Sequence, residues 1–123
     1  MKTLKLKKLT ICLALAGCSY PVYAQLLLSQ YIDGSSDRKG IELYNPDAQA
    51  VNLSDYEIRQ YNNGNAVKYS TFKPNGVLKP QTPFLLGTSA LKAEIGEQVN
   101  QVANLAFNGD DALVLYYKGT PID

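Results

Sequence analysis

From Gln25 onward, short runs of alternating apolar and polar residues are separated by clusters of turn formers, and this rhythm constrains the fold more than any other feature of the chain. Successive side chains in a strand point to opposite faces, so an alternating run carries one apolar face that a second layer must cover. Ile41-Glu42-Leu43-Tyr44 and Tyr56-Glu57-Ile58-Arg59-Gln60-Tyr61 alternate in this way. Ala66 to Phe72 places Val67, Tyr69 and Thr71 on one face. Val51-Asn52-Leu53, Val77-Leu78, Phe84-Leu85-Leu86 and Ala112 to Tyr117 read as further strands, and Gln25 to Ile32, with its Leu26-Leu27-Leu28 run, as one buried on both faces. Between them stand Asp33-Gly34-Ser35-Ser36, Asn45-Pro46-Asp47, Asn62-Asn63-Gly64-Asn65, Pro74-Asn75-Gly76, Asn108-Gly109 and Lys118-Gly119, all turn chemistry. About seven or eight strands punctuated roughly every 8–12 residues predict an all-β protein, an antiparallel sandwich or barrel. One stretch departs from the rhythm. Ser89 to Ile95 holds helix formers, with Ser89 as N-cap and Gly96 as stop, and predicts one short helix across an end of the sandwich.

Composition then removes most chemistry. The 123 residues include no His and no Trp, and both cysteines, Cys12 and Cys18, fall within the first 24. With Lys2, Lys5, Lys7 and Lys8 set aside, eight of the twelve basic residues remain against all eleven acidic ones, so residues 25–123 carry a net charge of −3. That part has no imidazole for acid–base work near neutral pH, no thiolate nucleophile and no Cys/His zinc set. The expectation is a chain that is not an enzyme and needs no cofactor.

The first 24 residues have the three parts of an export signal: a basic start, an apolar run from Leu9 to Gly17, and a segment ending Val22-Tyr23-Ala24. The apolar run is too short for a permanent span, which needs about 20 residues, so no integral membrane segment is expected after cleavage. Cleavage after Ala24 would give a secreted or periplasmic protein. Leu15-Ala16-Gly17-Cys18 offers a competing reading, a lipoprotein signal over residues 1–17 with Cys18 lipidated, which would give an outer-membrane lipoprotein.

Four acids are weak metal candidates. Asp110 and Asp111 follow Asn108-Gly109, where the competing role is turn formation, and adjacent strand residues face opposite ways. Asp33 and Asp37 flank an oxygen-rich turn that lacks the spacing of a calcium loop, and Arg38 and Lys39 follow at once. A candidate ligand surface gathers Tyr56, Tyr61 and Tyr69 with Arg59 and Lys68, since aromatic faces and cations suit single-stranded nucleic acid, and equally glycan or protein contacts. The net negative charge argues against autonomous nucleic-acid binding. Lys118-Gly119 signals a turn, so Thr120 to Asp123 should begin a return strand; the domain reads as C-terminally truncated with its last strand missing, the alternative being that this tail is a short, sufficient edge.

Three segments in order carry a resemblance: Ser29-Gln30-Tyr31-Ile32-Asp33-Gly34-Ser35-Ser36, Ile41-Glu42-Leu43-Tyr44-Asn45-Pro46 and Val51-Asn52-Leu53-Ser54-Asp55-Tyr56. A fourth, Leu105-Ala106-Phe107-Asn108-Gly109-Asp110-Asp111-Ala112-Leu113-Val114-Leu115, is the most distinctive. Their order and spacing resemble bacterial lamin tail domains over nearly all of residues 25–123. The resemblance implies an immunoglobulin-like β-sandwich. It further implies a place at the N-terminus of a secreted nuclease, ahead of a C-terminal catalytic domain of the endonuclease/exonuclease/phosphatase type. The functional expectation is an exported, non-catalytic binding or positioning module, its ligand extracellular DNA, a glycan or a protein. A self-sufficient envelope structural or adhesion lipoprotein is the alternative, and an autonomous nucleic-acid-binding domain the third reading.

Overall fold

Ile41 and Leu43 are fully buried, whereas Glu42 and Tyr44, which alternate with them, are only half-buried. The same alternation runs through Tyr56, Ile58 and Gln60, which point inward from a strand whose Glu57, Arg59 and Tyr61 point out. These faces close on each other as two layers. The computed structural model describes residues 25–123, in ten strands and one α-helix: β1 (Leu27–Asp33), β2 (Lys39–Asn45), β3 (Val51–Asn52), β4 (Tyr56–Tyr61), β5 (Lys68–Phe72), β6 (Val77–Leu78), β7 (Thr82–Gly87), α1 (Ser89–Ile95), β8 (Gln101–Val102), β9 (Ala112–Tyr117) and β10 (Thr120–Pro121). One sheet has the order β1-β2-β7-β8, the other β10-β9-β4-β5, and β3 with β6 forms a two-stranded ribbon. Pairing is antiparallel except between β7 and β8. Ile41, Leu43 and Leu86 of the first sheet meet Ile58, Phe72 and Leu115 of the second, with Leu105 and Phe107 from the irregular segment before β9 completing the core. This is the predicted sandwich with one short helix.

The first sheet is covered on its other face too. Leu85, Leu91 and Val99 form a second cluster under α1, with Ile32 and Ile95 packed against it. The helix sits this low because two paired strand positions are glycine, Gly40 and Gly87. A Cβ at Gly40 would lie 2.8 Å from Leu91 Cδ2, and one at Gly87 would lie 3.0 Å from both methyls of Val99. The helix stops at Gly96 as expected, but its N-cap is Thr88, one residue before Ser89. Thr88 wins because its buried hydroxyl donates to the Asp37 carbonyl (2.6 Å) and accepts from Lys39 N (3.2 Å) and Leu91 N (3.2 Å). Ser89 is exposed and could reach none of these.

Other expectations need correction. Leu27 is 44% exposed, so the leucine run is not buried on both faces; β1 is an edge strand. Val67 is 79% exposed and lies outside β5, in the loop that follows the Asn62–Asn65 turn. Asn108-Gly109 does form the turn expected of it, with Asp111 N donating to Asn108 O at 3.0 Å, and leads from the core segment into β9. Lys118-Gly119 does make the hairpin, with positive φ at both residues (47° and 84°), which matches the twist of the flanking strands. The return strand predicted from Thr120 is β10, paired with Tyr116 and Tyr117. Residues 1–24, and with them the export signal and Cys18, lie outside the described residues.

Candidate functional site

Because β4 and β9 turn one set of side chains into the core, the opposite set forms an open face. On it stand Glu57, Arg59 and Tyr61 from β4 and Ala112, Val114 and Tyr116 from β9, with Glu57 opposite Tyr116 and Arg59 opposite Val114. Lys68 of β5 lies opposite Tyr61, and Thr71 opposite Arg59. The register puts Arg59 diagonal to Tyr116, close enough for long side chains to meet. Its guanidinium carbon lies 3.8 Å from the centroid of the Tyr116 ring. Glu57 accepts from Arg59 Nε (3.0 Å) and Nη2 (2.5 Å), and the Tyr61 and Tyr116 hydroxyls are 2.7 Å apart.

The four side chains fix one another. Glu57 holds the guanidinium flat on the ring, a cation–π contact, and raises the Arg59 pKa further above its already high value. The hydrogen bond shared with Tyr61, which engages the neutral Tyr116 hydroxyl, is the main cause that raises the Tyr116 pKa, with partial desolvation adding to it. Tyr116 therefore keeps its proton at neutral pH. The shared bond uses one hydroxyl hydrogen of the pair and leaves the other for a ligand acceptor. Thr71 adds a buried hydroxyl with no partner among the described residues. The array is aromatic and rich in donors, and its one carboxylate, Glu57, is engaged by Arg59.

Of the five residues expected on the ligand surface, Arg59, Tyr61 and Lys68 share this face. Tyr56 does not. It is 7% exposed and its ring lies in the core, 4.9 Å from that of Tyr117, because it falls on the inward register of β4 with Ile58. Burial is the main cause that raises its pKa. The Tyr69 side chain lies outside the described part of the structure. Tyr116 was not anticipated, although its register gives it away: Leu113 and Leu115 point inward, so Val114 and Tyr116 must point out.

The four acids do not converge. Asp33 pairs with Lys39, while Asp37 has a positive φ (62°) in the turn and lends only its carbonyl, to the Thr88 hydroxyl and Lys39 N. The Asp111 carboxylate is committed to structure. It accepts from Asn108 N (2.9 Å), Gln60 Nε2 (2.9 Å) and Asn63 N (3.2 Å), tying the turn before β9 to the end of β4. Asp110 is exposed beside it and uses its backbone N–H to bond the Asn108 side chain. Among the described residues no three His, Cys, Asp or Glu side chains gather where a metal could bind.

A cleft of about 530 Å³ opens elsewhere, between the edge of β1 and the segment leading into β9. Tyr31, 63% exposed, stands edge-on to the buried Phe107 ring at its mouth, with centroids 6.0 Å apart. Periodicity could not reveal it, since Phe107 lies outside any strand. Among the described residues no helix is long and apolar enough to cross a membrane. A family model described as Lamin Tail Domain matches residues 21–123. A search of curated proteins returns no match to the chain.

Proposed function

The chain belongs to the lamin tail domain family, and we propose that it is an exported, non-catalytic module that binds or positions through the open face of the β10-β9-β4-β5 sheet. The family's immunoglobulin-like fold is consistent with a non-catalytic role. The observation that carries the reading is the contrast between the two kinds of polar group. Asp111, Asn45 and Thr88 are consumed by the fold, whereas Arg59, Tyr61 and Tyr116 are held in a fixed array at the surface. Such an array costs a ligand little side-chain entropy on binding. The basic start, short apolar run and Val22-Tyr23-Ala24 segment support export, and the signal-then-domain arrangement supports a place at the front of a secreted nuclease. In that setting the module would hold the catalytic part near its extracellular polymer.

Fluorescence anisotropy with a labelled single-stranded oligonucleotide, and parallel titrations with immobilised glycans, test the face directly. At least one probe should bind, and Arg59→Ala and Tyr116→Ala should each weaken it at least about tenfold, the 1.4 kcal/mol expected of a stacked cation contact at an interface. Binding that survives both substitutions would remove the face from consideration.

One observation favours the lipoprotein reading. The family match starts at Pro21, four residues before Gln25, so cleavage after Ala24 would remove Pro21 to Ala24 from the matched domain, whereas lipidation at Cys18 would keep them. The intact mass of the exported protein separates the two: a mature N-terminus at Gln25 excludes the anchor, and a diacylated Cys18 establishes it.

A further inference from the structure

The sequence contains three Asn-Gly pairs, Asn63-Gly64, Asn75-Gly76 and Asn108-Gly109, and all six residues are exposed. In such a pair the backbone nitrogen of glycine can attack the side-chain amide carbon of asparagine, because no Cβ shields it. A bond forms between Gly N and Asn Cγ, the Cγ–Nδ2 bond breaks, and the side-chain nitrogen leaves as ammonia, taking up the proton released by the glycine amide. Water then opens the resulting succinimide at either carbonyl, giving aspartate or isoaspartate. The reaction needs an unbound asparagine side chain and a backbone free to rotate into the attacking geometry.

Two of the three pairs are held against it. Asn108 is locked on every side: its side-chain oxygen accepts from Asp110 N (3.0 Å), its N–H donates to Asp111 Oδ2 (2.9 Å), and its carbonyl accepts from Asp111 N (3.0 Å). The Asn75 loop is stapled by Gln101, which accepts from Asn75 N (3.0 Å) and donates to Lys73 O (3.0 Å). It is fixed further by the buried Pro74 and by Leu53 N donating to Gly76 O (2.9 Å).

Asn63 is different. Its N–H makes one long bond, to Asp111 Oδ1 (3.2 Å), and its side chain has no hydrogen-bond partner among the described residues. Residues 63–68 are all exposed, whereas buried Pro74 and Leu78 flank the Asn75 pair and buried Phe107 precedes Asn108; the space around the glycine is open at all three pairs. Asn63 and Gly64 both have positive φ (50° and 75°), the left-handed conformation that these two residue types tolerate best, so no bulky neighbour holds the turn shut.

We propose that Asn63 is a site of spontaneous deamidation, converting in preference to Asn75 and Asn108. The product changes the end of the sheet that carries the open face. Isoaspartate adds a backbone atom within the turn closed by Asn65 N to Asn62 O (2.9 Å), and either product places a carboxylate beside that of Asp111. Asn62 and Asp111 are the two acceptors of the Gln60 amide, so the strain reaches the end of β4.

The experiment is incubation of the purified protein at mildly alkaline pH, with peptide mapping by mass spectrometry and enzymatic methylation of isoaspartate. Asn63 should convert several-fold faster than Asn75 and Asn108, with isoaspartate the larger product. Equal rates at the three sites, or faster conversion of Asn75 or Asn108, would overturn the proposal. Asp111→Ala gives a second reading of the same reasoning. It removes the carboxylate bond to Asn108 N and frees the turn, so Asn108 conversion should accelerate by several-fold. An unchanged Asn108 rate in folded Asp111→Ala protein would show that these bonds do not set reactivity.

Discussion

Asn45 offers the sharpest perturbation, because a fully buried amide at the end of β2 holds two separate segments. Its Nδ2 donates to Gln49 O (2.8 Å), Lys79 O (3.1 Å) and Leu78 O (3.3 Å), and its Oδ1 accepts from Asp47 N (3.0 Å). It thus ties the loop after β2 to the end of β6. Asn45→Ala removes all of these bonds. The Leu78 carbonyl, which is buried, is left without this donor at about 1–3 kcal/mol, and the part-buried groups lose roughly 0.5–1 kcal/mol each because water can reach them. The expected loss is about 3 kcal/mol, a large share of the 5–15 kcal/mol typical of a domain. At about 4–8 °C per kcal/mol for a domain of this size, Tm should fall by at least about 12 °C. Urea denaturation followed by far-ultraviolet circular dichroism reads the change, as a lower midpoint with an unaltered slope. Asn45→Asp sharpens the test. It keeps the shape and the acceptor but turns a carboxylate toward three carbonyl oxygens, so at neutral pH it should be worse than alanine and should recover partly as acidification protonates it. A loss below about 0.5 kcal/mol for alanine, or an aspartate variant as stable as the parent, would refute the assignment of Asn45 as the staple of this corner.

Further outcomes follow from the same contacts. Thr88→Val should cost about 1–2 kcal/mol in a denaturant melt, because Leu91 N loses its cap acceptor and the Asp37 carbonyl its hydroxyl donor, while Lys39 N keeps its bond to Asp37 O (3.1 Å), whereas Thr88→Ser should stay within about 1 kcal/mol. Gly40→Ala should lift α1 off the sheet at a cost of about 1–3 kcal/mol, seen as a lower Tm and faster amide exchange in residues 89–95. The raised pKa of Tyr56 means that the folded state favours the neutral phenol. Its contribution is therefore complete below pH 10.0, the ordinary value, and is lost as pH rises through the higher folded value. Tyr56→Phe should flatten the alkaline limb of the stability curve, and an unchanged limb would show that burial of this phenol does not drive it.

The sandwich was legible because burial in β2, β4 and β9 follows strict alternation, and the turn residues punctuate it where the chain reverses. What escaped the sequence was decided by tertiary context. Tyr56 and Tyr61 look alike in one alternating run, and an odd spacing of five puts them on opposite faces, so reading them as one surface broke the period that identified the strand. Thr88 outcompeted Ser89 as helix cap through two long-range partners, Asp37 and Lys39, that no local pattern shows. β8 has two residues, too few to display a period, and exists because Asn100 and Ala103 bond the β7 backbone at Leu85 and Gly87. The segments that carry the family resemblance hold structural staples: buried Asn45 of the Tyr44-Asn45-Pro46 segment, exposed Asn52 capping the turn at Leu53–Asp55, and half-buried Asp111 at the entry to β9. They report the fold, and the face proposed for binding lies outside most of them.

The account rests on these acids being structural and on the open face holding a ligand without altering it. The most direct measurement incubates the purified protein with single- and double-stranded DNA and added magnesium, manganese or calcium, and follows strand length over time. The account expects the DNA to stay intact under every metal. Metal-dependent cleavage that disappears in Asp110→Asn or in folded Asp111→Asn protein would contradict it, by showing that carboxylates assigned here to a turn hold a catalytic ion.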